Sequence, residues 1–170
     1  MIHVVIVGDS YTGKTALLSN LNRIPFTETY YSTIIPCYKL IKNYVFYDTP
    51  GNERFRNFST PYIQIADACI ICYDGLDSER CNYWEKYVTQ ISRKKIPVLR
   101  LVTKNDLLSK NKCGHLHVSS KTDEVWTALR PFLKELHPQP KISMSVLHYL
   151  YYIFPAAEDV TGHLNQCRVM

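Results

Sequence analysis

An apolar run, Ile2-His-Val-Val-Ile-Val7, leads directly into Gly8-Asp-Ser-Tyr-Thr-Gly-Lys-Thr15. The pattern G-x-x-x-x-G-K-[ST], placed after a strand and before a helix, is one in which loop N–H groups surround phosphates. Its lysine reaches the terminal phosphates, and the hydroxyl of its last residue binds Mg²⁺. A phosphate-binding loop of this kind needs a sheet behind it and a helix after it, so the first 22 residues already favour an α/β domain. The motif alone leaves ATP and GTP both open.

The rest of the chain supports that architecture. Strand-like runs recur at 44–47, 68–73, 98–102 and 115–118, and Thr15–Asn22 and Ser78–Ile91 read as helices between them. A third helix is expected from about Thr122 to Leu136, with Val125, Trp126, Leu129, Leu133 and Leu136 as its apolar stripe and Pro131 kinking or splitting it. Strands alternating with helices predict a mostly parallel, doubly wound sheet covered on both faces. With 170 residues, 46% of them hydrophobic, the chain supports one such domain. We place it at 1–137, followed by an extension, 138–170, with an amphipathic helix over 142–154 folding back on the domain.

Charge and cysteine content narrow the function classes. The net charge of +5 is spread along the chain, and its densest cluster, Arg93-Lys94-Lys95, reads as a solvated helix end, so no nucleic-acid partner is expected. No apolar stretch approaches the 18 or so residues of a membrane span, and Met1–Val7 lacks the basic start of a secretory leader. The six cysteines form no disulfide framework; Cys69 and Cys72 sit three apart in one strand, pointing to opposite faces, and the expected compartment is cytoplasmic.

Three further loops follow strands. Asp48-Thr-Pro-Gly51 offers a carboxylate to Mg²⁺ and a glycine N–H to the outermost phosphate; Thr103-Lys-Asn-Asp106 and Ser119-Ser-Lys121 close the last strands. Four loops at the C-terminal ends of parallel strands converge on one crevice. Together with FTETYYSTI (26–34), DTPGNERFR (48–56) and ADACIICYD (66–74), these residues resemble the Ras superfamily of small GTPases, and within it the Rab family, over roughly Met1–Leu136.

The resemblance implies a P-loop NTPase domain with one short antiparallel hairpin strand. It also implies a monomeric GTP/GDP switch with Mg²⁺-dependent hydrolysis, regulating membrane or vesicle traffic through activating proteins, exchange proteins and effectors. Carried over by position, Ser10, Tyr11, Thr12, Gly13, Lys14, Thr15 and Ala16 surround the phosphates. Phe26 lies edge-on to guanine, and Tyr30 belongs to the nucleotide-binding set. Thr15, Thr33 and Asp48 hold Mg²⁺. Thr103, Lys104, Asp106, Ser119, Ser120 and Lys121 form the base site, where the Asp106 carboxylate accepts two donors that guanine presents and adenine does not. Hydrolysis would rest on Lys14, Thr33, Gly51 and Asn52.

Several positions depart from the family pattern. Asn52 stands where a Gln usually orients the attacking water; its amide is about 1.5 Å short, so slow intrinsic hydrolysis is expected. Pro50 replaces Ala and fixes φ before Gly51, and Thr103 replaces the usual Asn. Ile35-Pro36-Cys37 and Pro61-Tyr-Ile-Gln64 replace surfaces that effectors read. From Thr33 to Asp48 is only 15 positions, which predicts a short hairpin turning near Lys42-Asn43; from Asp106 to Ser119 is 13, which predicts that the usual helix between the last two strands is missing. The terminal Cys167-Arg-Val-Met170 fits C-a-a-X and predicts a farnesylated Cys167 holding the protein peripherally on a cytosolic membrane face. The alternative function is a hydrolysis-poor GTP-binding decoy or scaffold that sequesters GTPase effectors; a P-loop kinase is disfavoured by the Thr-Lys-Asn-Asp and Ser-Ser-Lys loops.

Overall fold

A computed structural model describes residues 1–74, 78–107, 115–122 and 124–136. Its centre is a six-stranded sheet in the order β2-β3-β1-β4-β5-β6. The strands are β1 (Ile2–Val7), β2 (Cys37–Ile41), β3 (Tyr44–Asp48), β4 (Ala68–Tyr73), β5 (Val98–Val102) and β6 (Leu116–His117). All neighbours pair in parallel except β2 and β3, an antiparallel hairpin with Ile41 opposite Tyr44. That hairpin turns at Lys42-Asn43, and Lys42 takes φ +56° there.

Strand periodicity divides the core. In β1, Val4 and Ile6 face one side, where α1 (Lys14–Leu21) supplies Leu17, Leu18 and Leu21 and α4 (Val125–Lys134) supplies Val125, Leu129 and Leu133. Val5 and Val7 face the other, against Tyr62 and Ile63 of α2 (Thr60–Ile65) and Trp84 and Val88 of α3 (Ser78–Ile91). Central strands buried on both faces explain why β4 reads as an unbroken apolar run. Cys72 packs on the first side and Cys69 on the second, both as buried free thiols; burial raises Cys69 well above the usual thiol range and pushes Cys72 to about 12.

α4 is continuous through Pro131, so the expected split does not occur. Pro131 is exposed, and the carbonyl that loses its helical partner there can bond water instead. A seven-residue 3₁₀ segment, Glu53–Ser59, and α2 were not legible as helices; Pro61 occupies the first turn of α2, where its missing N–H removes no helical bond. The expected lack of a helix before β6 falls partly on 108–114, outside the described residues, and among those described only a 3₁₀ turn, Asn105–Leu107, lies between β5 and β6. The extension, including the 142–154 helix and Cys167, also lies outside the described residues. No helix among the described residues is long and apolar enough to cross a membrane.

Candidate nucleotide-binding site

The loops after β1, β3, β5 and β6 meet at the C-terminal edge of the sheet. The loop after β1 is tightly folded: Lys14 Nζ donates to the Asp9 carbonyl at 2.6 Å, and Thr12 Oγ1 donates to the same carbonyl at 2.8 Å. α1 opens with no side-chain cap from the described residues and no acidic residue in its first turn, so the amides of Lys14, Thr15 and Ala16 and the positive helix end suit an anion. Gly51 closes against this loop: a Cβ there would lie 2.5 Å from both Lys14 Nζ and the Ser10 nitrogen, so any side chain would displace one loop or the other.

Three distant hydroxyl and carboxylate groups converge beside Lys14. Thr15 Oγ1 donates to Asp48 Oδ2 at 2.7 Å, Thr33 Oγ1 donates to the same oxygen at 3.4 Å, and the two hydroxyls lie 3.2 Å apart. Asp48 is 1% exposed, and its Oδ1 is buried with no hydrogen-bond partner among the described residues. Burial raises the Asp48 carboxyl above its ordinary range, partly offset by the Lys14 charge and the Thr15 and Thr33 hydroxyls. Lys14, 6% exposed, is lowered by burial and partly restored by Asp48. A buried carboxylate with one oxygen unpartnered and two hydroxyls beside it is a hard-oxygen donor set, which fits Mg²⁺ held by one carboxylate plus ligand oxygens.

The base end is built from the last two loops. Asp106 Oδ1 accepts from the Ser119 hydroxyl, whose Oγ accepts in turn from the Lys121 N–H at 3.2 Å. Thr103 Oγ1 lies within hydrogen-bond distance of the Thr12 carbonyl (2.8 Å) and the Tyr73 carbonyl (3.0 Å), linking the phosphate loop, β4 and the base loop through one small hydroxyl. Lys104 takes φ +55° immediately before the 3₁₀ turn that presents Asp106. Asn20 of α1 donates to the Ser120 carbonyl at 3.0 Å and accepts from the Val125 N–H, pinning this loop against α4. Lys121 bonds Glu28 at 3.1 Å and lies 5.8 Å over the Phe26 ring.

Two arrangements were not legible in the sequence. Tyr11, 64% exposed and at φ +65°, stacks on Tyr30 with centroids 4.0 Å apart, spanning from the phosphate loop to the 26–34 segment. Asp9 takes the Trp84 indole N–H at 3.2 Å and pairs with Arg80 at 3.3 Å, and Arg80 also faces Glu53. These contacts join residues far apart in the chain, so no local pattern announces them. Asn52 is engaged locally: its Oδ1 accepts from the Arg54 N–H at 3.0 Å, capping the 3₁₀ segment.

A model of the Ras family matches residues 3–127. Curated relatives include Ras-related protein RABD2b of Arabidopsis thaliana (29% identical, covering 79% of this chain and 70% of the relative). GTP-binding protein ypt1 of Schizosaccharomyces pombe is 31% identical, covering 65% of this chain and 60% of the relative, and Ras-related protein Rab-1C of Dictyostelium discoideum is 31% identical with the same coverage. The chain spans between half and 70% of the length of the relatives it matches. With the family model covering more than half of the chain, the chain belongs to the Ras family, and it is distantly similar to Rab-named members of that family.

Proposed function

We propose that this protein is a Mg²⁺-dependent GTP/GDP switch of membrane traffic whose intrinsic hydrolysis is slow. The observation that carries the reading is the cluster of Thr15, Thr33 and the half-satisfied Asp48 beside buried Lys14, at the same crevice as Asp106 and Ser119. Thr15, Thr33 and Asp48 would hold the ion, which when bound offsets phosphate charge. Lys14 supplies a fixed cation whose desolvation cost a phosphate relieves. Asp106 selects guanine, and Phe26 and Lys121 flank it. Thr33 and the Gly51 N–H sense the outermost phosphate and order the 26–34 and 48–59 segments, which effectors and activating or exchange proteins would read.

Asn52 supports the slow-hydrolysis part. Its carboxamide caps its own 3₁₀ segment, and turning it toward a water would cost that cap, about 1 kcal/mol. Single-turnover GTP hydrolysis by Asn52→Gln is therefore expected to be about tenfold faster than by the natural sequence. A ratio of one would detach Asn52 from the slow rate. The same cap favours, as a second reading, a GTP-binding scaffold that scarcely hydrolyses and sequesters effectors; turnover that stays negligible in the presence of a Rab-activating protein would select it.

The Tyr11–Tyr30 stack supports a clasp over the nucleotide. A tyrosine at positive φ is strained, and an aromatic pair contributes about 0.5–1.5 kcal/mol. Tyr11→Gly is expected to release bound GDP about two- to tenfold faster with no loss of melting temperature, since glycine suits that backbone. An unchanged off-rate would make the ring a bystander.

Cys167 would carry a farnesyl group. Intact mass from cells containing farnesyltransferase is expected to show the added lipid, absent from Cys167→Ser. An unmodified natural chain in those cells would refute the anchor.

A further inference from the structure

The hairpin turn Lys42-Asn43 lies before β3, at the N-terminal edge of the sheet and away from the nucleotide loops. There it borders α4: the Tyr44 hydroxyl donates to the Leu133 carbonyl at 3.0 Å, and the Tyr44 and Trp126 rings meet edge to face with centroids 6.0 Å apart. The groove between hairpin and helix is lined by Lys42, Trp126, Arg130 and Lys134 together with Asn43, Tyr44 and Leu133. Its three ionisable side chains besides Tyr44 are all cations, and Lys42, Arg130 and Lys134 are exposed. Trp126, Arg130 and Lys134 recur every four residues and so share one stripe of α4. Lys42 Nζ sits 3.7 Å over the Trp126 ring, a cation–π contact that ties the hairpin's charge to the helix.

We propose that this face is a docking surface for an anionic lipid bilayer. Charge complementarity gives the first argument: an all-cation rim attracts a sheet of negative headgroups and no acidic side chain lines the groove to oppose it. The partly buried Trp126, with Tyr44 beside it, is the second, because an amphipathic ring at a basic rim suits the headgroup boundary. Position is the third. The groove lies at the edge of the sheet opposite the nucleotide loops, so a bilayer seated on it leaves those loops open to other partners. Adsorption here therefore sets the orientation of the domain on a membrane, and it does so without a lipid modification.

The test uses the full, unlipidated chain in its GDP-loaded form and vesicles of phosphatidylcholine with or without about 30% phosphatidylserine at low salt. Sedimentation is expected to show binding only to the phosphatidylserine vesicles, weakening with added salt. Each cation near such a surface contributes about fivefold. The Lys42→Gln/Arg130→Gln/Lys134→Gln variant is thus expected to lose on the order of 100-fold in partitioning, with GDP affinity unchanged as proof of folding. A variant of equal charge loss elsewhere, Lys86→Gln/Arg93→Gln/Lys95→Gln, should keep most of the binding. Equal loss in both variants would reduce the effect to net charge and overturn the proposal. So would indifference to phosphatidylserine, or binding of a poly-glutamate peptide in place of vesicles, which would assign the face to an acidic protein.

Discussion

Asp106→Ala is expected to lower GTP and GDP affinity by about 10³-fold and to leave guanine and adenine nucleotides almost equally bound. Two hydrogen bonds to a charged acceptor contribute about 1.5–3 kcal/mol each, and on the proposed assignment both are made only to guanine. The carboxylate is already held: the Ser119 hydroxyl donates to Oδ1, and Ser119 is oriented by the Lys121 backbone. Such an acceptor needs little reorganisation on binding, which is why its removal costs nearly its full contribution. The fold should survive, since the change removes one hydrogen bond, from the Ser119 hydroxyl, at about 1 kcal/mol. Equilibrium titration with fluorescent GTP, GDP and ATP checks it. Retained preference for guanine in Asp106→Ala would move base recognition elsewhere.

Asp48→Asn is the second large effect. The natural protein should bind GTP far more weakly after chelation of Mg²⁺, and the variant should bind equally weakly with or without the ion. An amide of the same size can still accept from Thr15, but it offers the cation no charge, and the loss of one anionic ligand amounts to several kcal/mol, on the order of 10³-fold in affinity. A variant that kept its Mg²⁺ response would show that Asp48 Oδ1 does not face the ion.

Much of the fold was readable because strand and helix periods are local. β1, β4 and β5 fall where their apolar runs lie, and α3 spans Ser78–Ile91 as its stripe predicts. Of the kink or split expected at Pro131, the split does not occur: the helix runs through it with Pro131 on the exposed side, where water can take the freed carbonyl. The helical character of 53–65 was not read from the sequence because the segment lacks a long apolar period, although Asn52 as a cap and Pro61 in a first turn are both local helix signals.

In the crevice, residue types were legible and their connections were not. Lys14, Thr15, Asp48 and Asp106 stand in ordered motifs whose chemistry is carried by spacing. Thr103 was read only as a replacement for Asn, yet its hydroxyl reaches two backbone carbonyls, one in the phosphate loop and one at the end of β4, a role that depends on those two segments being neighbours. The same holds for Asp9 with Trp84 and for Tyr11 with Tyr30, pairs separated by 75 and 19 positions that only the doubly wound topology brings together.

On the proposed reading, this crevice binds guanine nucleotide together with Mg²⁺. The most direct measurement is equilibrium binding of GTP, GDP and ATP to the full chain, with Mg²⁺ and after chelation. Tight binding of GTP and GDP, ATP weaker by orders of magnitude, and a steep loss of GTP affinity on chelation are the expected results. ATP bound as tightly as GTP, or GTP affinity indifferent to Mg²⁺, would rule out a Mg²⁺-dependent guanine site here.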